Sequence, residues 1–137
     1  MTLSLVDSNI IIDILEESSW SPWSERQVLK ASSEGQLVIN QIVLAETATY
    51  FEDAINLDRN LAALRMVKEE LPWSASTMAG LSHALYRRSG GMRDRVLPDF
   101  LIGAHAMQKN YRLLTRDGRR YRAYFPKLEI IAPDTHP

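Results

Sequence analysis

The chain has 137 residues, no cysteine and a formal net charge of −1. That length suits a single domain over residues 1–137, able to bury roughly two-thirds of its unfolded surface without staples. The lack of cysteine excludes disulfides and thiolate metal sites, so any metal must use carboxylate, carbonyl or imidazole. The opening Met-Thr-Leu-Ser-Leu-Val-Asp has no basic leader region, and no apolar run approaches the ~20 residues of a membrane span. A cytoplasmic protein is therefore expected. Its near-neutral charge conceals an asymmetry: residues 1–86 carry 5 Lys and Arg against 12 Asp and Glu, and residues 87–137 carry 11 against 5. Ten of those eleven cations fall between Arg87 and Arg122, which suggests either an anionic partner such as nucleic acid or a solvated arginine-rich face.

In chain order, Leu3 to Val6 is an apolar run read as a buried strand, and it delivers Asp7-Ser8-Asn9 at its C-terminal end. A helix is predicted from Asn9 to about Glu17, with Ile10, Ile11, Ile14 and Leu15 directed inward. Ser18 to Ser24 reads as a loop, since Pro22 opposes a helix running through it. Its tryptophans, Trp20 and Trp23, are expected in the core more than on an exposed patch, because large aromatics are mostly buried. Ser24 to Ser33 reads as a helix stopped at Glu34-Gly35, and Leu37 to Asn40 as a second buried strand. Gln41 to Phe51 follows as a helix carrying Glu46, and Asn56 to Leu71 as another, ended by Pro72.

Trp73-Ser74 is read as a short strand. Ala75 to Arg88 is predicted helical, with Gly90-Gly91 closing it, and Met92 to Leu97 forms a basic connector. Pro98-Asp99 opens a helix to Lys109, whose Ile102, Gly103, Ala104 and Ala106 permit close packing on a sheet. Arg112 to Thr115 reads as a strand ending at Arg116-Asp117-Gly118. Arg119 to Phe125 is a short helix, and Leu128 to Ile131 a last strand. Short apolar strands alternating with helices indicate an α/β fold with a mostly parallel sheet covered on both faces.

Four acidic residues can converge above the edge where this fold collects ligands, at the C-terminal ends of its strands. Asp7 and Asp117 follow strands, Asp99 starts a helix, and Glu46 lies in a helix that leaves a strand end. Crowded carboxylates repel one another and raise their own pKa values. A divalent cation relieves that repulsion, and oxygen-only donors suit Mg²⁺ or Mn²⁺. Such a centre favours phosphate-ester chemistry. Each residue also has a plain structural use: Asp99 as an N-cap, Asp117-Gly118 as a turn, Glu46 as a solvated helix residue. Asp13 and Asp94 read as surface or salt-bridge residues, and His83, His105 and His136 have no metal-ligand spacing.

With these residues in place, the chain resembles the PIN-domain nucleases, and within them the toxin half of VapBC-type toxin–antitoxin pairs. The resemblance rests on Val6-Asp7-Ser8-Asn9, where Ser8 replaces the family's Thr, and on Asn40-Gln41-Ile42-Val43-Leu44-Ala45-Glu46. Pro98-Asp99-Phe100-Leu101-Ile102-Gly103-Ala104-His105-Ala106, Leu114-Thr115-Arg116-Asp117 and Ile130-Ile131-Ala132-Pro133 complete it. It implies a three-layer α/β/α domain with a central, mostly parallel sheet of four to five strands. It further implies an endoribonuclease using one or two Mg²⁺ or Mn²⁺ ions, with Asp7, Glu46, Asp99 and Asp117 as catalytic and metal-binding residues. Ser8, Asn9 and Thr115 would orient those carboxylates or a water, and a metal-activated water would attack an RNA phosphodiester in line, with no histidine base. Arg112, Arg116, Arg119, Arg120 and Arg122 are candidates for RNA phosphates. The expected partners are a second copy of the chain and a small VapB-type antitoxin, for whose groove Trp20 and Trp23 are candidates. The alternatives are a housekeeping PIN nuclease for RNA processing and a non-catalytic RNA- or protein-binding module on a PIN fold. A phosphatase of the haloacid-dehalogenase type would need a second Asp where Asn9 stands.

Overall fold

The computed structural model of the chain describes residues 1–90 and 97–137. Five short strands form one sheet: β1 (Ser4–Val6), β2 (Leu37–Ile39), β3 (Met66–Lys68), β4 (Arg112–Leu114) and β5 (Ile130–Ile131). Their spatial order is β3-β2-β1-β4-β5 and every pairing is parallel. The helices between them are α1 (Ser8–Glu16), α2 (Ser21–Glu34), α3 (Gln41–Ala48), α4 (Ala54–Ala63), α5 (Trp73–Arg88), α6 (Leu97–Lys109) and α7 (Gly118–Tyr124). They give the three-layer α/β/α arrangement that continuous apolar strands require, since both faces of a parallel sheet must be covered. Leu5, Val6, Val38, Ile39, Leu113 and Leu114 are buried almost completely at the centre of that sheet.

Strand order places a topological switch between β1 and β4. The chain leaves β1 towards β2 and β3, then returns to add β4 and β5 on the other side. Connections therefore diverge above the C-terminal ends of β1 and β4 and leave a crevice there. Close packing below it comes partly from glycine. A Cβ on Gly103 of α6 would lie 2.4 Å from the ring of Phe125, so a larger residue would force the helix off the aromatic beneath it.

Three elements differ from the sequence expectation. The pattern from Asn56 to Leu71 is not one helix: α4 stops at Ala63, Arg65 turns the chain with φ of 60°, and Met66–Lys68 joins the sheet beside β2. Helical periodicity does not register a backbone partner far away in sequence, and the ladder to β2 wins. Trp73-Ser74 is the first turn of α5 rather than a strand, entered from Pro72 in extended conformation. Pro22 lies inside α2, because in the first helical turn its missing N–H was never needed. Of the expected basic connector from Met92 to Leu97, residues 92–96, with Asp94 among them, lie outside the described residues, as does Gly91, and Leu97 begins α6.

Candidate active site

Asp7 leaves β1 and caps α1, its Oδ1 accepting from the backbone N–H of Ser8 at 2.8 Å. Its Oδ2 accepts from the hydroxyl of Thr115, just past the neighbouring strand β4, at 2.7 Å. The residue is only 4% exposed. Ser8 Oγ donates to Glu46 Oε1 at 2.9 Å, which ties the exit of β1 to α3. Asn9 Nδ2 donates to Asp117 Oδ2 at 3.1 Å, while its Oδ1 accepts from the backbone of Arg116 at 3.2 Å. Thr115 Oγ1 also accepts from the backbone N–H of Asp117 at 3.0 Å. Ser8, Asn9 and Thr115 thus stand behind the carboxylates and fix their orientation, each by a hydrogen bond across the crevice.

Asp99, in the first turn of α6, completes the group. Arg120 of α7 reaches between two carboxylates, with Nε 3.2 Å from Asp99 Oδ2 and Nη2 2.5 Å from Asp117 Oδ2. Tyr121, fully buried, points its hydroxyl at Asp99 Oδ1 at 3.3 Å. Electrostatically the group is short of positive charge. Burial pushes the Asp7 carboxyl up to about 6, and repulsion from Asp99 and Asp117 adds to it, against the hydrogen bonds from Thr115 and Ser8. Burial also raises Glu46 and Asp99, which repel Asp7 and Glu46 respectively, although Arg120 relieves both in part. The Tyr121 phenol is driven well above its ordinary value by burial and by this surrounding negative charge.

Among the described residues no three Asp, Glu or His side chains close on a common point, and Arg120 supplies the nearest cation. The donor set nevertheless fits a hard divalent ion. All its candidate donor atoms are oxygens, and Asp7, Glu46 and Asp99 are held less acidic than they would be beside a sufficient positive charge.

A family model for the PIN domain matches residues 4–126, nearly the whole chain and all four carboxylates. The chain belongs to the PIN-domain family. Among solved structures it is similar to VapBC2 from Rickettsia felis bound to a promoter DNA fragment, with a TM-score of 0.74 at 16% identity, covering 96% of this chain and 98% of that one. VapBC-1 from nontypeable Haemophilus influenzae gives 0.72 at 18% identity with the same coverage. DNA-bound VapBC from Salmonella typhimurium gives 0.66 at 23%, again over 96% and 98%. At these identities the likeness is one of fold. No curated protein sequence matches the chain.

The five arginines assigned together from the sequence are separated by this PIN domain. Arg112 opens β4 and bonds Ser4 and Glu34, at the opposite sheet edge from the carboxylates. Arg122 is paired with Asp134. Arg120 serves the acidic group itself, and Arg116 is held by Asp13 at 2.7 Å. Arg119 is exposed and makes no ion pair with any described residue. Asp13 is therefore a salt-bridge residue but not a surface one: it is 2% exposed. The tryptophans divide, Trp23 entering the core with its indole N–H on the carbonyl of His136 and Trp20 remaining 40% exposed.

Sequence reasoning gave Tyr121 no role and placed Arg120 on phosphate rather than on carboxylate. Neither has a one-dimensional signal beyond its distance from Asp117. His105, whose sequence position offers no metal-ligand spacing, is fully buried and joins a chain of hydrogen bonds. Asn40 Oδ1 caps α3 by accepting from Ile42 and Val43, so its amide N–H is left to face His105 Nδ1 at 3.1 Å. The ring is consequently neutral with its proton on Nε2, donated to Glu69 at 2.6 Å. Burial holds His105 below its ordinary pKa in spite of Glu69. That chain fixes the start of the helix that carries Glu46.

Proposed function

We propose that the chain, as one nuclease domain over residues 1–137, is a Mg²⁺- or Mn²⁺-dependent endoribonuclease that acts as the toxin of a toxin–antitoxin pair in the cytoplasm. The observation supporting the nuclease reading is the network at the β1/β4 switch in which Ser8, Asn9, Thr115 and Arg120 link Asp7, Glu46, Asp99 and Asp117. There burial and mutual repulsion raise three of the four carboxyls. Asp7, Glu46, Asp99 and Asp117 would hold one or two ions, with Asn9, Ser8 and Thr115 fixing their lone pairs. When bound, such an ion polarises a phosphoryl oxygen and lowers the pKa of an attacking water. Arg120 would turn from its carboxylates towards the phosphate, where a planar guanidinium suits two oxygens. Among the described residues no histidine hydrogen-bonds or ion-pairs with Asp7, Glu46, Asp99 or Asp117, and the proposed step uses no imidazole.

The toxin reading is supported by the full-length likeness to chains of VapBC complexes. It is also supported by apolar surface suited to a partner: Trp73, Leu81 and Leu85 stand exposed along α5. A VapB-type antitoxin and a second copy of the chain are the proposed occupants. No helix among the described residues is long and apolar enough to cross a membrane.

The test is cleavage of total RNA by the purified chain with Mn²⁺ or Mg²⁺ and with EDTA, beside Asp99→Asn. Metal-dependent fragments absent from the variant are expected. An intact chain that neither binds Mn²⁺ nor cuts RNA would leave Arg120 as the permanent cation of the group and make this a non-catalytic binding module. Growth arrest on induction, relieved by a neighbouring small gene product, separates a toxin from a housekeeping PIN nuclease.

A further inference from the structure

Beside Asp117 the surface opens into a cleft of about 570 Å³, within the range of roughly 300–1,000 Å³ usual for small-ligand sites. Its lining sets the aromatic rings of Trp20, Tyr86 and Tyr124 among the guanidinium groups of Arg116, Arg119 and Arg120, and its two carboxylates, Asp117 and Asp134, are already paired with Arg120 and Arg122. An exposed indole beside a charged group would ordinarily be mobile, yet here both are fastened from below. Buried Asp13 forms an ion pair with Arg116, whose Nε lies 2.7 Å from its Oδ2, and accepts from the hydroxyls of Ser18 and Ser24 at 3.0 and 2.8 Å. The same Ser18 hydroxyl accepts from the backbone N–H of Trp20 at 3.1 Å. The outcome is a guanidinium held 5.8 Å from the Trp20 ring centre. On the opposite wall Tyr124 is stacked on buried Phe100 at 4.2 Å and 24°, with Tyr86 edge-on at 4.8 Å. Burying a carboxylate is expensive, and this one is spent on holding a cation against an exposed ring.

We propose that this cleft is a subsite for one unpaired RNA nucleotide next to the scissile phosphate. Its base stacks on the Trp20–Arg116 platform, and its phosphate meets Arg119. The inference rests on the ribonuclease reading for the placement of the scissile bond. Ligand chemistry is set by the lining: flat rings call for another flat ring, and among the described residues Arg119 is the cleft cation with no acidic partner, so the ligand is an anion. A nucleotide is both. A base within a duplex does not offer its face, whereas single strands stack on aromatic and guanidinium planes.

Binding of a labelled single-stranded hexauridylate to the full chain in EDTA, followed by anisotropy, tests the subsite without any cleavage. Trp20→Ala should weaken binding about tenfold, the loss of one base–aromatic stack. Trp20→Phe should keep most of the affinity, which separates lost stacking from misfolding. Arg119→Ala should make the log–log salt dependence shallower by roughly 0.7, one phosphate contact on a single strand. Ile55→Ala, exposed on α4 and outside the cleft, should change nothing. Equal binding by wild type and Trp20→Ala, or a duplex bound as tightly as the single strand, overturns the proposal. So does a Trp20→Ala chain that binds RNA normally but loses a protein partner, which would make the cleft a peptide groove. The nuclease reading fails separately: Trp20-dependent RNA binding by a chain that never cuts with Mn²⁺ keeps the subsite and removes the enzyme.

Discussion

Replacing Asp7 by Asn should stabilise the metal-free protein at pH 7.5 while abolishing activity. The carboxyl rises from an ordinary 3.8 to about 6 on folding, so keeping it ionised costs the fold on the order of 3 kcal/mol at about 1.36 kcal/mol per pKa unit. Asparagine removes that cost but cannot accept from both Ser8 and Thr115 with equal geometry. Thr115 Oγ1 is itself already an acceptor for Asp117, and one lost hydrogen bond takes back about 1 kcal/mol. A net gain of about 2 kcal/mol remains, or roughly 6–8 °C in Tm for a chain of this size. Because the folded state binds this proton more tightly, the wild type recovers stability as pH falls through about 6 towards 3.8. Near pH 4 the advantage of the variant should vanish or reverse. Mn²⁺ at 100 times its Kd should add about 2.7 kcal/mol to the wild type and much less to the variant. The assay is thermal unfolding by circular dichroism from pH 4 to 7.5, with and without Mn²⁺. Parallel Tm–pH curves for the two proteins would refute the electrostatic reasoning.

Arg120→Ala should leave Asp99 and Asp117 without their counter-ion, lower apoprotein stability by about 1 kcal/mol as a half-exposed ion pair does, and lower the Mn²⁺ concentration needed for half-maximal stabilisation; calorimetric titration measures the second effect, and unchanged or weaker binding would count against competition between guanidinium and metal. His105→Ala should cost about 3 kcal/mol, since it opens a cavity and strands Asn40 and Glu69, and urea denaturation would show it. Because burial holds His105 below its ordinary value of 6.5, the wild type should also lose stability as pH falls below that value, an effect missing from the variant. Gly103→Ala, whose Cβ would sit 2.4 Å from Phe125, should cost about 1–3 kcal/mol by overpacking; a fully stable variant would mean that α6 shifts freely. Asp13→Asn should release Arg116 and loosen Trp20, lowering stability by about 3 kcal/mol as a broken buried pair, with a red shift of tryptophan emission as the second readout.

What was legible in the sequence follows from local rules. The runs Leu3–Val6, Leu37–Asn40 and Arg112–Thr115 read as strands because the short apolar segments end in capping residues, and Asp7 and Asn40 do cap α1 and α3. The four carboxylates could be singled out because Asp7 and Asp117 follow strands, Asp99 opens a helix and Glu46 lies in a helix that leaves a strand end, in a fold whose ligands gather at that edge. Strand β3 was not legible, since Met66 and Val67 fit a helical period and only pairing with β2 selects the extended form.

The sequence by itself determined the α/β class and the alternation of most strands and helices, because periodicity, capping and strand ends are properties of neighbouring residues. Tertiary structure alone decided how the arginines are used. Five cations of equal charge were parted by position: Arg112 to the far edge, Arg122 to Asp134, Arg116 to buried Asp13, Arg120 into the carboxylates, and Arg119 to solvent. Charge along a chain does not say which acid a side chain will meet. That depends on the approach of α7 to α6 and of β4 to α1, contacts between segments far apart in sequence, and the electrostatics of the site follow from them.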